Sequence, residues 1–180
     1  MILEITQYGN PILRKKCRKV TEVTDDLKQF GEDLIETMVD AEGVGLAAPQ
    51  VDRDLQMAVV DVSHDPECIS YLKVDGEETA LEDILPLVFI NPVLEFGSNK
   101  ESVTEGCLSI DGINAEVRRP SEVKATLGLL DGRTIVVETD GLFSRAIQHE
   151  TDHLNGILFV DRLSTAAKLS VRRKLKLLGK

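Results

Sequence analysis

Apolar positions recur along the chain with two different periods, which predict both helices and strands. Between residues 27 and 38 they repeat at helical spacing, after Thr24, a residue suited to cap a helix, and before Gly43, which ends the segment. The runs 56–62 and 85–97 are rich in β-branched residues and are punctuated by Pro and Gly. The pattern therefore predicts an amphipathic helix followed by two strands.

The second half of the chain contains the clearest strand pair. In residues 121–141, two alternating segments flank Asp131 and Gly132, a dipeptide that tolerates the positive φ angles of a tight hairpin turn. Asp140 is a candidate cap for a helix over about 141–155, and Ser164 is a candidate cap for a last helix that ends at Gly179. Helices and strands lie mostly in separate parts of the chain, and the clearest strand pair is antiparallel. The predicted fold class is therefore α+β.

Length and composition favour one globular domain over residues 1–180, since 180 residues with 42% hydrophobic and 29% charged side chains can form a single core. Residues 65–83 hold seven acids and one lysine, and we expect them to be a solvated excursion at the surface. The start of the chain has no signal-peptide pattern, and no apolar run has membrane length. We expect a cytoplasmic protein without a membrane partner, and its three cysteines fit a reducing compartment.

Charge is distributed unevenly, because residues 162–180 hold seven of the 21 Lys and Arg residues and none of the 31 acids. This stretch is either the solvated end of a helix or a surface that meets an anionic partner. Both interpretations fit the sequence.

The candidate chemistry begins with residues 149–153, whose sequence HETDH places His149, Glu150 and His153 in the pattern H-E-x-x-H. On a helical wheel these three side chains fall on the apolar side, opposite Ser144 and Asp152. A buried carboxylate beside two imidazoles needs compensation. A metal ion held by the two histidines supplies it, with the glutamate beside a bound water.

A catalytic site of this kind needs a third protein ligand. After the motif the only acid is Asp161, which an H-E-x-x-H metallopeptidase would have to use, and the remaining histidine, His64, lies in a segment expected to be exposed. Cys107, in the sequence EGCLS, has a neighbouring glycine and polar neighbours that are unusual for an inert core residue. By itself it still fits an inert buried cysteine, but the need for a third ligand makes it a candidate thiolate. Cys17 and Cys68 lie in segments without such a motif.

A third segment, GVGLAAPQ at residues 43–50, presents one amide side chain, that of Gln50, after a run of small residues. Either a helix-terminating turn or the close approach of a ligand to the backbone explains this composition.

Together the three segments resemble the motifs of peptide deformylases, G-x-G-x-A-A-x-Q, E-G-C-x-S and Q-H-E-x-x-H, in order and spacing. YGNPILRK near the start, FINP at 89–92 and DHLNGILFVDR after the metal motif extend the similarity over nearly the whole chain. The resemblance implies a hydrolase of protein biosynthesis that removes the formyl group from the N-formylmethionine of nascent proteins and releases formate. It also implies antiparallel sheets packed around a central helix that carries the two histidines.

The resemblance assigns roles residue by residue. It makes Cys107, His149 and His153 the ligands of one divalent metal, ferrous iron above all, with zinc, nickel or cobalt as substitutes. Glu150 becomes the general base and acid as a metal-bound water attacks the formyl carbonyl. The carbonyl oxygen is met by Gln50 and the backbone N–H of Leu108.

The same resemblance places Val44, Leu142 and Ala146 around the methionine side chain and puts Gly45 and Gly106 near the substrate backbone. Each of these apolar residues is equally consistent with an ordinary core position. We further expect Glu105 and Arg119 to form a supporting ion pair behind the ligands.

Two positions depart from the family pattern. Asp111 replaces a frequent proline and Asp52 a frequent glycine, which alters the shape and charge of the loops beside the cleft. For the cationic helix over 164–180 we expect a contact with ribosomal RNA near the peptide exit, without sequence-specific recognition of nucleic acid. A non-catalytic metal or formyl-peptide binding protein with the same fold remains an alternative to the enzyme.

Overall fold

The computed structural model of the protein describes residues 1–179 and contains three α-helices: α1 (Asp25–Asp40), α2 (Gly141–Leu154) and α3 (Thr165–Leu178). Two of the predicted caps are confirmed. The Thr24 hydroxyl accepts the N–H of Leu27 at 3.2 Å, and the Ser164 hydroxyl accepts the N–H of Ala167 at 3.2 Å. The predicted side-chain cap at Asp140 is wrong, because its Oδ1 atom instead accepts the N–H of Ser70 at 2.7 Å.

Within residues 1–179, nine strands form a seven-stranded sheet, in the order β1-β2-β5-β8-β9-β3-β4, and a two-stranded sheet of β6 and β7. All the strand pairs are antiparallel. The predicted α+β class is confirmed. The strands are β1 (Gly45–Ala47), β2 (Met57–Val60), β3 (Leu72–Val74), β4 (Glu77–Glu78), β5 (Leu87–Phe96), β6 (Lys100–Cys107), β7 (Ile110–Pro120), β8 (Val123–Gly128) and β9 (Thr134–Thr139).

The predicted hairpin is β8 and β9, and Gly132 in its turn has a φ angle of 89°. The acidic segment 65–83 is only partly the solvated excursion that its composition indicates. Its acids are exposed, but Leu72 and Leu81 are buried and β3 pairs with β9 at the sheet edge. Two leucines at the right positions are enough to anchor an otherwise acidic segment to the sheet.

The core is assembled on both sides of α2. Its apolar side chains, including Phe143 and Ile147, pack with residues of the large sheet such as Phe89 and Leu127. A second apolar cluster lies between α1 and the sheet, and a third lies between β7, α3 and the segment after α2. The central position of the motif-bearing helix is confirmed.

The polar side of α2 is also buried, contrary to its placement away from the core on the helical wheel. Ser144, Arg145, Gln148 and Asp152 are all at most 8% exposed. The sheet of β6 and β7 covers this side and supplies polar partners, such as the carbonyl of Pro120 for Gln148. The helix is therefore enclosed on both faces.

None of the helices in residues 1–179 combines the length with the apolar character that crossing a membrane requires.

Candidate active site

Helix α2 carries two histidines whose rings lie side by side, one turn apart. The ring centroids of His149 and His153 are 5.0 Å apart. Nδ1 of His149 lies 2.9 Å from Oε1 of Glu105, which leaves Nε2 as the ring nitrogen that can bind a metal. The i, i+4 spacing thus delivers two imidazoles to one place, as the motif predicts.

Cys107 lies at the end of β6, in the two-stranded sheet, and comes close to the two histidines. Its Sγ atom lies 3.3 Å from Nε2 of His153, and the ligand atoms of Cys107, His149 and His153 all lie within 4.8 Å of one another. Metal bonds of about 2.0–2.3 Å to nitrogen and sulfur are compatible with donor atoms at this separation. The three residues that the motifs indicate are therefore brought together.

The pKa values of the two buried histidines shift in opposite directions. Burial by itself would lower the pKa of His149, but hydrogen bonding to Cys107 and Glu105 raises it to about 10. Burial and the neighbouring charge of His149 hold the pKa of His153 well below its usual value. A soft thiolate and two imidazoles whose ligand atoms lie close together are a donor set that fits a divalent metal.

Behind the ligands lies a buried ion-pair network centred on Glu105. Arg119 donates to both oxygens of this carboxylate, at 2.7 and 2.9 Å, and Arg145 donates to Oε2 at 2.6 Å. Burial would raise the pKa of Glu105, but the hydrogen bonds with His149 and Arg119 outweigh it and hold that pKa well below its usual range. The expected pair of Glu105 and Arg119 is confirmed, and it fixes the orientation of the His149 ring.

Glu150 is the other buried carboxylate, and it is only 4% exposed. Burial raises its pKa to about 7, against the opposing charges of His149 and Arg119. Among the described residues its Oε2 atom has no hydrogen-bond partner. A Cβ at Gly45 would lie 2.3 Å from Oε1 of Glu150, so the glycine is required for this carboxylate to lie where it does.

Gln50 follows β1 in the 3-10 turn Ala48–Val51 and is 2% exposed. Its Oε1 atom accepts the N–H of Ala47 at 2.9 Å, which fixes the orientation of the amide. Its Nε2 atom donates to Ser109 Oγ at 3.1 Å and to Cys107 Sγ at 3.5 Å. The amide donor is therefore directed at the group of ligands.

A cleft of about 630 Å³ opens over these groups. Gln50, Cys107, His149 and Glu150 contribute to its walls. The other predicted site residues that line it are Val44, Gly45, Gly106, Leu108, Leu142 and Ala146.

The alternative ligands lie elsewhere. The Asp161 carboxylate accepts from Arg14 at 2.5 Å and from the N–H of Leu158 at 2.9 Å, and it is not in the group of ligand atoms. His64 is exposed. Burial raises the pKa of Cys17 to about 11, and neither Cys17 nor Cys68 contacts the site through a described hydrogen bond.

Three residues near the site were not predicted. Arg145 and Asp152 belong to the network behind His149, and Ser109 holds Gln50. Arg145 and Asp152 lie four residues before and three residues after His149, which makes them its neighbours at the border between the apolar and polar sides of the helix. Nothing local in the sequence indicates that the β6–β7 sheet buries them.

Comparison with known proteins places the chain beside one family. A family profile described as polypeptide deformylase matches residues 2–169. A peptide deformylase of Methylacidiphilum infernorum is 44% identical over 98% of this chain and 92% of its own length, and one of Acinetobacter baumannii is 41% identical over 97% and 90%. The structure superimposes on a Synechococcus elongatus peptide deformylase solved in complex with actinonin, with a TM-score of 0.81 and 35% identity over 98% of this chain and 86% of that one. A Thermotoga maritima peptide deformylase gives 0.78 and 35% over 91% and 99%.

Proposed function

The chain belongs to the polypeptide deformylase family and is a hydrolase that removes the N-formyl group of nascent peptides, and from this premise we propose that Glu150 is its general base and acid. The metal ligands in this proposal are Cys107, His149 and His153. The observation that carries it is a single arrangement. Three ligand atoms lie within 4.8 Å of one another, beside a buried carboxylate with an unpartnered oxygen.

A divalent metal in this position would lower the pKa of a bound water and polarise the formyl oxygen. Glu150 then takes the proton from the attacking water and delivers it to the departing nitrogen. A pKa of about 7 suits both transfers, because a general base works best when its pKa lies near the working pH. Its unpartnered Oε2 atom leaves the carboxylate free to accept that proton.

Gln50 and the backbone N–H of Leu108 donate to the formyl oxygen as negative charge develops on it. The Gln50 amide is prepared for this role, because Ala47 and Ser109 fix its orientation before substrate arrives. Loss of one such donor costs about 10²–10³ in turnover.

The methionine side chain occupies the apolar part of the cleft, lined by Val44, Leu142 and Ala146. Gly45 and Gly106, which line the same cleft, flank the peptide backbone. A Cβ at Gly106 would lie 2.4 Å from Asn114 Oδ1, so there is no room for a side chain at this position.

Formate release from a formyl-Met peptide by metal-loaded protein tests this proposal. We expect turnover by the wild type and a loss of about 10²–10⁴ in kcat for Glu150→Gln with unchanged metal content. Glu116→Gln, an exposed acid on β7, is the matched control and should retain full activity. Absence of formate release by the wild type would favour the non-catalytic binding protein.

Metal content distinguishes the ligands. Cys107→Ala should bind less than stoichiometric metal and Asp161→Ala should retain it, because only Cys107 belongs to the group of ligand atoms. The reverse result would support the alternative, a metallopeptidase with Asp161 as third ligand.

We propose ferrous iron as the native ion, with zinc, nickel or cobalt as substitutes, since thiolate and imidazole donors accept all four. Metal analysis of protein purified without oxygen tests this identity.

We propose further that the cationic face of α3 contacts ribosomal RNA near the peptide exit. Lys168, Arg172, Arg173, Lys174 and Lys176 are all exposed, whereas Lys180, the last cation of the predicted 164–180 segment, lies outside the described residues. Neutralising Arg172, Arg173 and Lys174 to Gln should weaken co-sedimentation with ribosomes at low salt and reduce its salt dependence. Unchanged binding would contradict the proposal.

The same premise suggests the setting of the enzyme. We propose that residues 1–180 form a single deformylase domain that works in the cytoplasm. Support comes from the profile match over residues 2–169, from three free cysteines, and from a substrate that is a newly made chain. Limited proteolysis that released a stable fragment carrying only one of the two sheets would contradict the single domain.

A further inference from the structure

Strand β7 contains a bulge beside the cleft. Ile110 faces Cys107 across the β6–β7 ladder and Ala115 faces Glu105, so residues 111–114 all lie opposite Gly106. Gly112 in this bulge has a φ angle of 70°, and Asp111 is exposed on the cleft wall. Bulges beside active sites redirect side chains, and this one places a carboxylate at the mouth of the cleft.

A second acid borders the cleft from the turn after α1. Glu42 has a φ angle of 52°, is exposed, and lines the same cleft. The turn lies close to Leu108, because a Cβ at the adjacent Gly43 would be 2.8 Å from Leu108 Cδ1. Two exposed acids from distant parts of the chain thus line the same cleft.

Apart from the proposed metal ligand His149, the described part of the cleft wall has no cation available to neutralise them. Arg145 is the one arginine among the lining residues, but it is 5% exposed and donates to Glu105 and to the carbonyls of Val117 and Glu101. Within residues 1–179, Glu42 and Asp111 take part in none of the ion pairs. The mouth of the cleft therefore carries uncompensated negative charge.

The cleft has independent marks of a ligand site. Glu150, 4% exposed, lines it with a carboxylate oxygen that has no partner among the described residues. The apolar residues Val44, Leu142 and Ala146 lie in the same cleft. A peptide held there by its first side chain extends by about 3.3 Å per residue, so its next residues lie near the mouth.

We propose that Glu42 and Asp111 make the enzyme prefer formylmethionyl peptides that carry lysine or arginine at the second or third position. This inference rests on the proposed function of the cleft. Long cationic side chains reach carboxylates at the mouth while their heads remain in water, and acidic side chains at those positions are repelled. Each exposed contact is weak, so we expect both acids together to favour a lysine over a glutamate by about threefold to tenfold in kcat/KM.

The test compares formyl-Met-Ala-Lys, formyl-Met-Ala-Glu and the neutral formyl-Met-Ala-Gln, together with the matching peptides substituted at position two, on nickel-loaded protein. The wild-type ratio of kcat/KM for the lysine over the glutamate peptide should exceed about three. It should fall in Asp111→Asn and in Glu42→Gln and approach one in the double variant. Glu116→Gln, an exposed acid on the same strand outside the cleft, should leave the ratio unchanged.

Turnover of the neutral peptide separates this inference from the function on which it rests. If the wild type does not deformylate it, the proposed function fails. If it does, but the ratio at both positions is one or less, or the double variant keeps the wild-type ratio, only the preference is overturned. A second measurement uses the wild type alone. Raising ionic strength from about 20 mM to about 500 mM should bring the ratio toward one, because exposed charges are then screened beyond about 5 Å, and a ratio unaffected by salt contradicts the inference.

Discussion

Gly45 of β1 packs directly against Glu150 of α2. A Cβ there would lie 2.3 Å from Oε1 and 2.8 Å from Cδ of Glu150. We predict that Gly45→Ala lowers kcat by about 10²-fold, because a carboxylate displaced by about 1 Å no longer reaches the reacting atoms. Metal content should be unchanged, since the three proposed ligands lie on other residues.

The matched control for Gly45→Ala is Gly97→Ala. The atom nearest to its Cβ would be Oε2 of Glu122 at 2.8 Å, which lies at the flexible end of that side chain and can move away, and the Glu122 Cβ would be next at 3.2 Å. Steady-state formate release and metal analysis of both variants check the prediction. Loss of metal from Gly45→Ala, or equal kcat losses in the two variants, would show that the glycine does not act through Glu150.

Cys17 gives a pH-dependent prediction far from the cleft. Burial, with the nearby charge of Asp54, raises the pKa of this thiol from about 9 to about 11. A raised folded pKa contributes stability that is present below the unfolded pKa and is lost as pH rises through the folded value. The wild type should therefore lose at most about 2 kcal/mol of unfolding free energy between pH 9 and pH 11 that Cys17→Ala does not lose.

Urea unfolding of wild type and Cys17→Ala at pH 8, 9.5 and 11 measures this difference. At pH 8 the variant should be less stable by about 1 kcal/mol, because it leaves a small cavity. The gap should close with rising pH and reverse by up to about 1 kcal/mol at pH 11. Parallel curves across this range would mean that the thiol is no harder to ionise in the folded state than in the unfolded one.

Among the elements, those with local signals were predictable and those that depend on distant partners were not. Helix α1 is defined by its cap Thr24, α3 by its cap Ser164 and the β8–β9 hairpin by the turn residues Asp131-Gly132. Each of these signals acts within a few residues. The sequence predicts that the polar side of α2 faces solvent, whereas in the fold the β6–β7 sheet covers it. Asp140 looks like a cap until Ser70, seventy residues away in sequence, takes its oxygen.

Arg145 is one of the residues that join α2 to that sheet. Its guanidinium donates to Glu105 Oε2 at 2.6 Å, to Val117 O at 3.0 Å and to Glu101 O at 3.1 Å. We predict that Arg145→Gln lowers the unfolding free energy of the metal-free protein by about 3 kcal/mol, because it leaves a buried carboxylate with one fewer cation. Metal affinity should fall by up to about tenfold, since Glu105 orients the ring of His149.

Arg133→Gln is the matched control for Arg145→Gln. Arg133 pairs with Asp131 at 2.7 Å, but its side chain is 71% exposed, and such pairs contribute little. Denaturant unfolding and competitive metal titration check both variants. If Arg145→Gln is no more destabilising than Arg133→Gln, the guanidinium is not needed to join the helix to the sheet.

At the level of the whole molecule, the site is assembled from segments that are distant in sequence. The segment 43–50, the end of β6 and helix α2 meet only in the folded chain. The i, i+4 spacing predicts from physics that the two histidines lie together. Cys107 and Gln50 are candidates because of their neighbours, whereas their roles come from the resemblance. Neither source indicates that residues 111–114 bulge opposite Gly106, because strand register depends on the whole ladder.

The two ends of the chain close one apolar cluster, in which Val171 of α3 packs with Leu13, Ile110 and Phe159. Val171 is 8% exposed, whereas Leu177 on the same helix is 63% exposed. We predict that Val171→Ala lowers the unfolding free energy by about 1–3 kcal/mol, and that Leu177→Ala changes it by less than about 0.5 kcal/mol. Thermal and urea unfolding measure both.

Since Cys107 packs against the same cluster, deletion of residues 164–180 should also weaken metal binding. Equal stability of the two variants, with metal affinity retained after the deletion, would mean that α3 serves only as a cationic surface and not as part of the core.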